Sequence, residues 1–113
     1  MNHNVHDQIS REIARTIAAG LHDHPEWIEI ASANLDRWSA QNADAPGLVR
    51  CYAQWQKLLH EPVDEIIRVL TGESQECGRM RQNSPFVGVL PLSEIRNIKR
   101  RFLRADTHET TTA

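Results

Sequence analysis

The sequence predicts an all-α fold: a compact single domain of five to six helices, with an extended Pro/Gly connector before the last helix. Three observations predict it. Apolar residues recur every three or four positions along most of the chain. No stretch alternates apolar and polar residues for long enough to indicate a sheet. Proline or glycine separates the periodic segments, and 113 residues suffice for one core of modest size.

The first three helices are predicted from their apolar faces. A first helix of about 7–20 ends at Gly20, and a second of about 25–41 begins at Pro25, which suits a first helical turn. A third, of about 46–60, follows the turn of residues 44–47. Their apolar faces comprise, in order, Ile9, Ile13, Ile17 and Leu21; Ile28, Ala31, Leu35 and Trp38; and Leu48, Cys51, Tyr52, Trp55, Leu58 and Leu59.

Shorter helices are predicted in the second half of the chain. After Pro62, a fourth helix ends near Gly72, a natural C-terminal cap. Ser74 is expected to cap a fifth helix of about 75–82. The extended connector follows within RQNSPFVGVLPL, residues 81–92, and the last helix begins at about residue 93, with Ile95, Ile98 and Phe102 on one face. The domain is expected to cover residues 1–104, with a disordered tail at 105–113.

Charge is divided unevenly along the chain. Residues 1–78 carry six Lys/Arg against twelve Asp/Glu, whereas residues 79–104 carry seven Lys/Arg against Glu94 alone. Such asymmetry indicates either an acidic partner or attraction between the two parts within the fold. The last helix supplies most of the positive charge, since Arg96, Arg100 and Arg104 follow each other four residues apart opposite its apolar face.

Several classes of function find no support in the residues. There is no secretory signal and no apolar run of membrane-spanning length, so we expect a cytoplasmic chain and no membrane partner. The histidine pairs lack a well-spaced further ligand, and we predict no metal site. Cys51 and His60 are separated by about 13 Å if they share a helix. We therefore predict no catalytic site, no cofactor and no enzymatic activity.

A nucleic-acid function has two possible sources in the sequence. Residues 65–82 outline a helix, a tight turn and a second helix bearing Arg79 and Arg81, as in a helix-turn-helix. Gly78 and Glu76 stand where the second helix would need an apolar anchor, so the motif would be a degenerate one. The basic last helix is the other source, because its guanidinium groups can bind phosphates as well as carboxylates.

The segment RMRQNSPFVGVLPLSEIRNIKRRF resembles a small uncharacterised bacterial protein family with the signature R-x-R-Q-x-S-P-F-x-G-x-L-x-x-x-E. The matching positions are Arg79, Arg81, Gln82, Ser84, Pro85, Phe86, Gly88, Leu90 and Glu94. The resemblance extends back through residues 51–67 and covers about half of the chain. No established activity comes with this family. Short proteins of this kind often accompany mobile elements and toxin–antitoxin modules.

These observations favour a small non-catalytic protein that acts through protein–protein interaction, as an antitoxin-like or regulatory partner. The expected partner is a protein with an acidic face, or a second copy of the chain. The alternative is a nucleic-acid-binding regulator. Phe86 can act as an apolar anchor or pack in the core, with arginines as polar clamps. The predicted partner-binding residues are Arg79, Arg81, Gln82, Ser84, Pro85, Phe86, Arg96, Lys99, Arg100 and Arg104.

Overall fold

Six α-helices follow one another in the computed structural model, which describes the backbone of residues 2–112 and the side chains of residues 5–104. They are α1 (Asn2–Gly20), α2 (Glu26–Gln41), α3 (Pro46–Leu59), α4 (Val63–Thr71), α5 (Gln75–Arg81) and α6 (Leu92–Thr112). The described backbone contains no strand. The predicted all-α single domain with a connector before its last helix is confirmed.

The first helix begins earlier than the sequence indicated, at Asn2 rather than near residue 7. Val5 explains the extension, because it continues the four-residue spacing of Ile9 and Ile13 by one more turn. Val5 and Ile9 are buried against Ile98 of α6. The first and last helices therefore pack on each other, and α1 also packs along α4.

Two short-range features end α4 and start α5. Ser74 caps α5 as predicted, its hydroxyl accepting a hydrogen bond from the backbone N–H of Cys77 at 3.1 Å. Gly72 ends α4, but its φ of −69° is one that any residue adopts. Glycine is required here because a side chain would not fit: a Cβ would lie 2.6 Å from the Cys77 Sγ and 2.8 Å from the Arg68 carbonyl oxygen.

The core is centred on Trp55 of α3, whose side chain is fully buried. Its indole Nε1 donates to the carbonyl of Met80 at 2.8 Å, near the end of α5. Its ring meets that of Phe86 edge-on, with centroids 6.1 Å apart and planes at 79°. One side chain therefore joins α3 to α5 and to the connector, in a contact geometry that aromatic rings favour.

The connector, residues 82–91, folds back over this core and turns at Gly88, whose φ is +89°. Glycine is favoured there because an L side chain at that φ would be strained. Pro85, Phe86, Val89 and Leu90 are buried, while Val87 at the turn is 63% exposed. Phe86 itself is 3% exposed, so its ring points into the domain.

The predicted disordered tail, residues 105–113, has its side chains outside the described residues, and its disorder stays a prediction. Among the helices that are described, none is long and apolar enough to cross a membrane.

Replacing Phe86 by alanine is expected to cost about 3–5 kcal/mol of unfolding free energy, because a buried ring is removed and a cavity remains. The neighbouring Val87→Ala provides the matched control and is expected to change stability by less than about 0.5 kcal/mol. Chemical denaturation followed by tryptophan fluorescence measures both. Equal stabilities for the two variants would show that the Phe86 ring does not pack in the core.

Candidate binding surface

The basic residues of α6 line the side of the helix that faces away from the domain. Ile98 is buried against α1 with Phe102 packed beside it, and Ile95 packs against the main core. The exposed positions of α6 up to residue 104 include the cations that we call the basic face: Arg96, Lys99, Arg100 and Arg104. The packing of α6 on α1 thus fixes this face in solvent.

The basic face has no acidic counterpart within the described part of the chain. Arg101 reaches Glu12 of α1 at 3.7 Å, but the four residues of the basic face make no ion pair with any described residue. Attraction between the acidic and basic parts of the chain is one of the two explanations for the uneven charge, and among the described residues of α6 it is limited to the Arg101–Glu12 pair. The positive charges of the basic face are therefore exposed to solvent.

Arg79 is engaged within its own helix and with α3. It is bound to the carboxylate of Glu76, and its guanidinium donates to the Gln54 side chain at 2.9 Å. The hydrogen bond from Arg79 lowers the pKa of Glu76 below its ordinary value, and the same bond raises the pKa of Arg79. All three side chains are exposed.

Arg81 has a structural role that the sequence did not suggest. Its Nη1 donates to the carbonyl oxygens of Val69 at 3.0 Å and of Gly72 at 2.5 Å. These carbonyls lie at the C-terminal end of α4, where the helix leaves acceptors unsatisfied and its dipole is negative. The guanidinium therefore caps α4 and ties the end of α5 to it.

The other predicted residues of the connector divide between surface and core. Gln82 is exposed at the end of α5, and the half-buried Ser84 accepts a hydrogen bond from the backbone N–H of Phe86 at 3.3 Å. Pro85 and Phe86 are buried. The ten predicted residues thus do not form one surface: four form the basic face, and the other six lie on α5 and the connector.

A groove runs between α1, the connector and α6, and we call it the α1–α6 groove. Its volume is about 480 Å³. Among the described residues that line it, Arg81 alone is charged and none carries a carboxylate. The lining residues are Ser10, Ile13, Ala14, Ile17, Arg81, Gln82, Ser84, Phe86, Val87, Gly88, Leu90, Leu92 and Ile95.

Asn34 of α2 positions the connector that forms one wall of this groove, and the sequence reasoning missed it. Its buried amide donates to the carbonyls of Pro85 at 2.9 Å and Val87 at 3.0 Å, and its Oδ1 accepts from Arg37 at 2.5 Å. The available signal was its place on the predicted apolar face, three residues after Ala31. A polar residue at such a position needs buried partners.

The described residues include no cluster of three or more His, Cys, Asp or Glu side chains that could hold a metal ion. Cys51 and Cys77 are buried free thiols. His22 contacts Asp64 at 3.1 Å and His24 contacts Glu26 at 3.1 Å, each as an isolated exposed pair.

In comparisons with known proteins, the chain matches no family model, and neither a curated protein nor a solved structure matches it significantly. The resemblance to the bacterial signature therefore stays a prediction.

Arg81→Met is expected to lower the unfolding free energy by about 2 kcal/mol, because it leaves two carbonyls at the end of α4 without their charged donor. Arg79→Met removes the same group from an exposed pair and is expected to cost no more than about 0.5 kcal/mol. Urea denaturation at fixed salt compares the two. If Arg79→Met proves the more destabilising, the hydrogen bonds from Arg81 to the end of α4 do not hold α5 against α4.

Proposed function

We propose that the chain is a non-catalytic helical protein that acts by binding another protein through the basic face of α6. The observation that carries the proposal is the charge of this face: four exposed cations with no ion pair to any described residue. A partner that supplies carboxylates would neutralise them. Guanidinium groups suit this role because they bind carboxylates in a bidentate manner.

Exposed leucines beside the cations favour a protein partner over nucleic acid. Leu92 is 72% exposed and Leu103 is 45% exposed, and both lie on α6. A surface that binds only phosphates gains nothing from large apolar side chains in water. A protein interface combines the two, with apolar contacts at its centre and charges at its rim.

The biological role that fits such a surface is that of an antitoxin-like or regulatory partner, as the resemblance to the bacterial family suggests. Self-association is the other form that the proposal can take. A symmetric dimer through α6 would place like charges opposite each other, which is unfavourable. A contact between the basic face of one copy and the acidic residues of another would avoid this repulsion.

The test is a pair of charge reversals with equal change in net charge. Arg96→Glu with Arg100→Glu is expected to weaken binding of the purified native partner by at least roughly tenfold, since attraction becomes repulsion. Arg50→Glu with Lys57→Glu, on the exposed side of α3, is the control and is expected to leave the Kd nearly unchanged.

The partner is first recovered from host lysate, identified by mass spectrometry and purified, and the Kd is then measured by calorimetry. Equal Kd values for both double variants would overturn the proposal. Sedimentation of the chain alone shows whether the partner is a second copy.

A second candidate function is nucleic-acid binding by the same basic face, which its row of arginines favours. The helix-turn-helix alternative has less support. Its second helix, α5, spans seven residues, and both of its arginines already bind groups within the chain. Any phosphate contact would therefore fall mainly to α6.

Electrophoretic mobility shift at two salt concentrations tests this candidate. If the basic face binds duplex DNA or single-stranded RNA, affinity is expected to fall by at least about tenfold between about 50 mM and about 200 mM salt, because neutralised phosphates release counterions. Arg96→Glu with Arg100→Glu should reduce both the affinity and the salt dependence. Absence of any shift at the lower salt concentration would eliminate the candidate.

A further inference from the structure

We infer that the α1–α6 groove binds an amphipathic α-helix of the partner, with apolar side chains in the groove and acidic side chains toward α6. The inference rests on the proposed function and names the part of the partner that the chain recognises. The groove is largely apolar, and α6, which carries the basic face, forms one of its walls.

The dimensions of the groove suit two turns of a helix. Along α1 its lining extends from Ser10 to Ile17, which corresponds to about 10 Å at 1.5 Å per residue. Apolar side chains at positions i, i+4 and i+7 of a partner helix span the same length. Its volume of about 480 Å³ can take such side chains in place of water, and water leaving an apolar lining drives association.

Exposed apolar side chains at the rim of the groove favour an occupant as wide as a helix. Val87 on the connector is 63% exposed and Leu92 on α6 is 72% exposed. A helix with its side chains is about 10 Å across and would cover them from above. Exposed apolar residues at a rim are typical of a protein-binding groove.

Charge defines the chemistry of the occupant. The described lining of the groove includes no carboxylate, and its one charged residue is Arg81. Lys99 and Leu103 lie seven and eleven residues after Leu92, so helical periodicity places them on the same side of α6. An occupant seated in the groove therefore meets positive charge, and acidic flanks match it. A second copy seated symmetrically would bring its own basic helix against this one.

The experiment uses a synthetic helical peptide of about 14 residues, with leucine at i, i+4, i+7 and i+11 and glutamate on its flanks. Two control peptides replace either the leucines by serine or the glutamates by lysine. Fluorescence anisotropy of labelled peptide measures the Kd for the full chain. We expect the leucine–glutamate peptide to bind, and both controls to bind at least about tenfold more weakly.

Variants of the chain locate the binding. Leu92→Glu is expected to weaken peptide binding at least about tenfold, because it places a carboxylate at the rim. Ile30→Glu, at an exposed apolar position on α2 outside the groove, is the matched control and is expected to leave the Kd unchanged. Both positions are exposed, so the fold is retained, and circular dichroism checks this.

Several outcomes would overturn the inference. One is that no peptide binds. Another is that the serine peptide binds as tightly as the leucine peptide, or that Leu92→Glu and Ile30→Glu act alike. Binding of dodecanoate without the peptide would make the groove a small-ligand site, and a dimer that Leu92→Glu dissociates would make a second copy its occupant. The proposed function is tested separately, by the effect of the α6 charge reversals on the Kd for the native partner.

Discussion

The burial of Trp55 is the constraint on which the rest of the structure depends. Its ring is in contact with Phe86, and its N–H is satisfied by the Met80 carbonyl, so its apolar and polar parts fix different segments. A buried indole needs both kinds of partner. The end of α5 and the connector are thereby held against α3, and the direction in which the chain enters α6 is set from the core.

The surface proposed for binding is assembled from distant parts of the sequence. The connector forms one wall of the groove and is held by Asn34 of α2, while α1 and α6 form the others. The basic face faces solvent because the apolar side of α6 is used against α1. Recognition would therefore depend on positions whose side chains never touch the partner, since those positions decide where the wall and the helix lie.

Much of the fold could be predicted from the sequence, because helix periodicity and the residues at helix ends are local properties. The six helices and the Ser74 cap follow from spacing and residue type. The basic face could also be read from a helical wheel. Asn34 and Arg81 could not be assigned, because their partners are main-chain carbonyls 51 and 12 residues away. Periodicity carries no information about which helix end or loop lies opposite a side chain.

The pairing of α1 with α6 also has a consequence for the time course of synthesis. Ile9 is buried against Ile98, so its final neighbour is added only after most of the chain. At about 5–20 residues per second, that interval lasts several seconds. Throughout that interval, Val5 and Ile9 lack their neighbour on α6 and are open to contact with other nascent chains. The helix that completes the fold last, α6, is also the one that carries the basic face.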